Sequence, residues 1–160
     1  MAMTGRPTIL FVCADNGGLS LLAEAVAFGA HPGVRAFSAA AGAPGDVDPA
    51  LLSCLDAAGI PSDGLSAKPA GVFALSGAPR LDAVVVFGDE ARRALRHLPF
   101  VGLLRVEAWR FSAPGRPGDL SREPDERVRA AAYQRLLPEI GAAIADLEAR
   151  IAFRLSGAAA

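Results

Sequence analysis

The stretch "TILFVCADNGGLSLLAEA", Thr8–Ala25, decides the reading of this chain. Thr8–Ala14 is a short apolar, β-branched run. Pro7 bounds it on one side and Asp15-Asn16-Gly17-Gly18 on the other, which predicts a buried strand followed by a tight turn. From Leu19 the apolar residues Leu19, Leu22, Ala23 and Val26 recur at helical spacing to Ala30, where His31-Pro32-Gly33 stops the pattern. Strand, turn and helix in that order place Cys13 at the carboxyl end of a strand, ahead of a helix N-terminus. The backbone N–H groups of the loop Ala14, Asp15, Asn16, Gly17, Gly18, Leu19 and Ser20 can there converge on an anion, aided by the helix dipole. The same field favours the thiolate of a cysteine so placed. A thiolate beneath an anion cradle is what attack on the phosphorus of a phosphate ester, or on the arsenic of arsenate, requires.

Outward from this stretch the alternation of strand and helix continues. "VRAFSAA" (34–40) reads as a second strand. In "DVDPALLSCLDAAGI", Asp48 is a good N-cap, Pro49 suits the first turn of a helix and Gly59 its end. Residues 61–80 are rich in Pro, Gly and Ser, with one helical turn expected near Val72–Leu75. "LDAVVVFG" (81–88) is the clearest buried strand, "DEARRALRHL" (89–98) a short helix, and "GLLRVEAW" (102–109) a fourth strand. A polar Pro/Gly loop fills 110–123. From Pro124, the residues Val128, Tyr133, Leu136, Leu137, Ile140, Ile144, Leu147 and Ile151 mark a long amphipathic helix that Pro138 is expected to kink or split. Four apolar strands separated by helices predict an α/β fold of three layers, a four-stranded parallel sheet with helices on both faces. In such sheets ligands bind at the carboxyl ends of the strands, near a switch in strand order. That is where Cys13 is placed.

Composition bounds the function classes. The 160 residues suit one domain, 1–160, with a core over about 7–153. Hydrophobic residues make up 52% and mean hydropathy is +0.33. Much of this is alanine, and no apolar run approaches the ~20 residues of a membrane span, so no membrane partner is expected. "MAMTGRPT" lacks the apolar segment of a signal peptide. A net charge of −1 without a basic cluster argues against nucleic acid. Cys13 and Cys54 form neither a disulfide framework nor a metal-ligand spacing. The expectation is a cytoplasmic protein with reduced thiols, without metal or cofactor, whose oligomeric state the sequence leaves open.

"ILFVCADNGGLSLLAEAV" resembles the opening of the low-molecular-weight protein tyrosine phosphatase superfamily, which includes the thioredoxin-coupled arsenate reductases. That loop is a cysteine, five residues and Arg-Ser, followed by a helix containing Ala-Glu. Cys13, Asn16, Ser20, Ala23 and Glu24 fall on the pattern. Four later segments resemble the family in the same order: "FSAAAGAPGDVDPALLSCLDAAGI", "LDAVVVFGDEARRAL", "EAWRFSAPG" as its acid loop, and "DERVRAAAYQRLLPEIGAAIADL" as its last helix. The resemblance implies the three-layer fold above, Cys13 as nucleophile position, and a small oxyanion or phosphorylated ligand in the loop.

Three departures bear on chemistry. Leu19 stands where the resemblance places an arginine that grips two phosphoryl oxygens and stabilises charge during transfer. Ala113 stands before Pro114 where an aspartate is expected to protonate the leaving oxygen and then activate water. Gly88 stands where the arsenate reductases carry a resolving cysteine. Other residues have plainer readings. Asn16 is a structural partner of the loop backbone, and Ser20 is either a helix-start residue or a donor to the sulfur. Cys54 and Tyr133 read as core, His31 and His97 as surface, and Arg92-Arg93-Arg96 as a solvated face. Arg80, Arg110, Arg116 and Arg122 are the arginines that a relocated cation could come from. The expectation is a phosphatase-like protein with impaired catalysis. The alternative is a weak cysteine-dependent phosphatase acting on phosphate monoesters, and arsenate reduction ranks third.

Overall fold

The structure, a computed structural model, describes residues 5–98, 105–111 and 123–158. β1 (Thr8–Cys13) is buried from end to end, as its unbroken apolar run requires of a central strand. It pairs in parallel with β2 (Arg35–Ala40) on one side and β3 (Ala83–Phe87) on the other. β4 (Arg105–Trp109) extends the sheet beyond β3, again in parallel, giving the order β2-β1-β3-β4. The chain leaves β1 towards β2 and returns on its other side at β3, so the strand order switches at β1. Such a switch point is where sheets of this class place their ligand sites, and Cys13 is the last residue of β1.

Side-chain alternation divides the core between the two sheet faces. Ile9, Phe11 and Cys13 join a large cluster with residues of α1 (Leu19–Ala30), α2 (Pro49–Ala57) and α4 (Glu126–Ala158). Leu10 and Val12 face the opposite way, packing with Val84, Val86, Leu95 of α3 (Asp89–Leu95) and Ala70 of a short 3-10 turn (Ala70–Ala74). This gives the expected three layers. Each fully buried large side chain, such as Phe11, Leu22 or Ile144, contributes roughly 1.5–3 kcal/mol. The tilted and edge-on stacking of Phe11, Phe87, Trp109 and Phe111 ties β1, β3 and β4 together on one face.

The helix starts follow the sequence signals. Asp48 caps α2 by accepting the Ala50 N–H at 2.9 Å, with Pro49 in the first turn. Gly59 beyond α2 has φ +69, the left-handed geometry that glycine adopts freely. Two expectations need correction. Pro138 does not split the last helix, which runs as one element from Glu126 to Ala158. Tyr133, Leu136, Ile140 and Ile144 are buried on both sides of the proline, and that packing offsets the lost backbone hydrogen bond. Val128 is 48% exposed rather than part of the buried stripe. Three residues of the expected fourth strand, 102–104, and most of the 110–123 loop lie outside the described residues. Among the described residues no helix is long and apolar enough to cross a membrane.

Candidate functional site

Cys13 ends β1 nearly buried, and its Sγ lies 2.8 Å from Ser20 Oγ in the first turn of α1. Asn16, also fully buried, donates Nδ2–H to the same Oγ at 2.8 Å, and its Oδ1 accepts the Lys68 N–H at 3.0 Å. With Asn16 on one lone pair, the hydroxyl can still donate its proton to a thiolate or accept from a thiol. Ser20 is both a first-turn residue of α1 and a hydrogen-bond neighbour of the Cys13 sulfur. Asn16 sits at φ +57, a left-handed conformation that asparagine tolerates better than most residues. It is held there by hydrogen bonds at both ends of its amide.

The direction of the loop's N–H groups follows from where its carbonyls go. Cys13 O accepts Ala41 N–H at 2.8 Å, Ala14 O accepts Gly42 at 3.0 Å, Asp15 O accepts Gly45 at 2.8 Å and Gly17 O accepts Asp48 at 2.9 Å. A trans peptide points its N–H opposite to its C=O. The N–H groups of Ala14, Asp15, Asn16 and Gly18 are therefore directed away from the 41–48 segment. Ala14 and Asp15 are exposed, Gly17 is buried, and Gly18 and Leu19 are half-buried. Asp15 Oδ1 accepts the Gly17 N–H at 2.9 Å. Gly18 caps α1 without a side-chain hydrogen bond, and the first turn carries no acidic residue. Among the described residues, no side chain caps the positive end of this helix.

Both glycines are needed by their surroundings. A Cβ on Gly17 would come within 2.6 Å of Asp46 O, and one on Gly18 within 2.5 Å of the Tyr133 hydroxyl. That hydroxyl donates to Asp48 Oδ2 at 2.9 Å. Asp48 in turn holds Arg129, through Nε at 3.0 Å and Nη2 at 3.1 Å, and Arg129 Nη1 donates to Glu123 O at 2.7 Å. Burial pushes the Asp48 carboxyl up, but the hydrogen bonds from Arg129, the Ala50 N–H and Tyr133 prevail and hold it below the usual carboxylate range. Burial, reinforced by the Asp48 charge and hydrogen bond, pushes the Tyr133 phenol well above its ordinary range. Tyr133 is core, as expected, yet its hydroxyl also buttresses the loop. Local sequence signals mark Asp48 as a cap and give none for Arg129. A phenol on an otherwise apolar buried stripe was the available signal, since it needs a partner.

Leu19, at the position expected to carry a cation, packs against the main core. Among the described residues no arginine hydrogen-bonds to Cys13, Asn16 or Ser20. Arg80, Arg92, Arg93 and Arg96 are exposed, and Arg110 pairs with Asp89 at 3.1 Å in an exposed contact. Arg116, Arg122 and Ala113 lie outside the described residues. Gly88 begins α3 at φ +97 with nothing within 4 Å of a would-be Cβ, so a side chain there has room but meets backbone strain. Cys54 is 1% exposed within the core, and burial pushes its thiol up. Glu24 lies on α1, where Ser38 donates to its Oε2 at 2.7 Å, and burial raises its carboxyl above the usual range.

No family model and no curated protein matches the sequence. Solved structures do match. Vibrio vulnificus Wzb in complex with benzylphosphonate superposes with a TM-score of 0.69 at 18% identity, over 89% of this chain and 99% of that one. An arsenate reductase in the phosphate binding state gives 0.65 at 18% identity, covering 91% and 98%. The thioredoxin-dependent arsenate reductase of Corynebacterium glutamicum gives 0.60 at 19% identity, covering 92% of this chain, which spans 62% of that protein's length. The sheet, its covering helices and the cysteine loop at the end of β1 thus form the fold shared by low-molecular-weight tyrosine phosphatases and arsenate reductases.

Proposed function

We propose that Cys13–Ser20 is an oxyanion-binding loop on a phosphatase scaffold whose phosphoryl-transfer chemistry is severely impaired. The observation that carries this reading is position 19. The nucleophile position and its Ser20 and Asn16 partners are assembled, while Leu19, half-buried against the core, offers no donor. Backbone N–H groups and a helix end can hold an anion, but the charge that develops during transfer then meets no fixed guanidinium. A missing electrostatic group of this kind is worth on the order of 10³-fold in rate. Ala113 removes the expected proton donor as well. The protein acts, on this reading, in the cytoplasm as a binder of a small oxyanion or a phosphorylated ligand, with no cofactor. Its test is inorganic phosphate binding followed by NMR. Saturable shifts of the Ala14–Ser20 amides that Ser20→Ala weakens support the loop, and their absence refutes it.

A second reading, weak phosphate monoester hydrolysis, is favoured by Arg129. It is anchored to Asp48, whose N–H bonds the loop carbonyl of Gly17, so one guanidinium is fixed next to the loop. Its Nε and Nη2 are taken by Asp48, which neutralises its charge. Loss of residual turnover in Arg129→Ala, with phosphate binding retained, would favour this reading. Arsenate reduction ranks below both because Gly88 supplies no thiol.

A further inference from the structure

A second concentration of positive charge lies at the other end of the sheet. Arg105 opens the edge strand β4 and pairs in register with Ala83, which is level with Ile9 of β1. It is therefore about four residues, or roughly 13 Å, back along the strands from Cys13. A cavity of about 250 Å³ is lined there by Arg105, Ala149, Arg150, Phe153 and Arg154. The last four lie on α4, so the groove runs between its C-terminal turns and β4.

The charges around this groove do not balance. Arg150 grips Glu107 with both Nη atoms, at 2.8 and 2.7 Å, and reaches Asp146 through Nε at 2.8 Å. Arg105 Nε is 3.7 Å from the same Glu107 carboxylate. Arg154 makes no ion pair or side-chain hydrogen bond among the described residues. Among the described residues, three guanidiniums thus meet two carboxylates. The Nη1 of Arg105, moreover, is out of solvent and has no hydrogen-bond partner among the described residues. A buried charged donor without an acceptor is destabilising, and an oxyanion would remove that deficit. Phe153, 79% exposed, and Ala149 supply an apolar wall beside the cations.

We propose that this groove is a second anion site, separate from the cysteine loop, for a small ligand that joins an oxyanion to an aromatic or apolar body. The oxyanion pairs with Arg105, on the side that lines the groove, and with Arg154, while the body lies on Phe153. A carboxylate or a phosphonate serves equally in the first role, because a guanidinium fork fits either.

The fold supplies a reporter. Trp109, the only tryptophan in the sequence, donates its indole N–H to Glu107 Oε1 at 2.8 Å. Glu107 is the carboxylate that Arg150 and Arg105 share, so an anion drawing either guanidinium away alters the indole N–H. The experiment titrates the full chain with phenylphosphonate, benzoate and inorganic phosphate while following the Trp109 indole signal and the amides of Ala149–Arg154. Expected are saturable shifts of both with phenylphosphonate or benzoate, at least about tenfold weaker for inorganic phosphate, which lacks the apolar body. Arg154→Ala, an exposed residue whose loss leaves the fold intact, should weaken binding about tenfold. Arg105→Gln should weaken it further, and Ser20→Ala should leave it unchanged. A ligand that prefers phosphonate over benzoate points to organic phosphates and the reverse to carboxylates, and either supports the site. Shifts confined to Ala14–Ser20, shifts that never saturate, or binding indifferent to both arginine substitutions would overturn it. Because Ser20→Ala acts only at the loop, failure of the loop reading and failure of this one are separately visible.

Discussion

The two ends of the sheet differ in how polar groups and charge are shared out. At the carboxyl end, every polar side chain of the loop core has a partner: Cys13 with Ser20, Ser20 with Asn16, Asn16 with the Lys68 N–H. On the proposed reading the loop is shaped for an anion but carries no cation of its own, since position 19 is a leucine packed against the core. Beside β4 and the end of α4 the reverse holds. Among the described residues, three guanidiniums gather round two carboxylates and one buried donor has no partner. Shape without charge at one end and charge without a fitted cradle at the other teach the same lesson. A preorganised site needs both, and rate enhancement depends on charge fixed where it develops.

The comparison breaks most visibly if charge is returned to the loop. Leu19→Arg alone should strengthen phosphate binding more than turnover. With Ala113→Asp added, turnover of p-nitrophenyl phosphate should rise by on the order of 10³-fold, more than the product of the single effects, because both groups act on one transition state. Steady-state kinetics of the four proteins in the cycle decide this. Next in size is the buttress. Gly18→Ala drives a methyl into the Tyr133 hydroxyl and should destabilise the fold by about 1–3 kcal/mol. Tyr133→Phe in the same chain should recover part of that loss, measured as a coupling energy from denaturant midpoints.

The charged end offers a pH test. Hydrogen bonds from Arg150 pull the Glu107 carboxyl down to about 2 from an ordinary 4.5, against burial and with help from Trp109. A carboxyl depressed in the folded state contributes its stability fully above about 4.5, and that contribution is lost as pH falls through about 2. Glu107→Gln should therefore cost about 1–2 kcal/mol at neutral pH. The gap from the parent protein should close between those two pH values. Smallest is the exposed pair at the β3–α3 corner: Arg110→Ala, breaking the contact with Asp89, should change stability by less than about 0.5 kcal/mol.

Much of this architecture was legible in the sequence because its signals are local. Apolar β-branched runs announced β1 and β3, the Asp48-Pro49 pair announced the start of α2, and helical spacing announced α1 and α4. Cys13, Asn16 and Ser20 were legible as a group because one strand-turn-helix segment carries them all. What escaped depends on contacts across long stretches of chain. The link from Asp48 to Arg129 and Tyr133 joins residues 81 and 85 positions apart, and no local pattern announces it. The Arg105–Glu107–Arg150 cluster brings β4 to α4 in the same way. Pro138 leaves the helix unsplit because propensity describes an isolated helix, whereas packing on both sides of the proline holds the element together in the folded chain.

The central claim, that the loop binds oxyanions without turning phosphate esters over, meets its most direct test in p-nitrophenyl phosphate hydrolysis by the parent protein and by Cys13→Ser. The account predicts that the two rates are indistinguishable while both proteins still bind inorganic phosphate. Turnover by the parent that Cys13→Ser abolishes would contradict it.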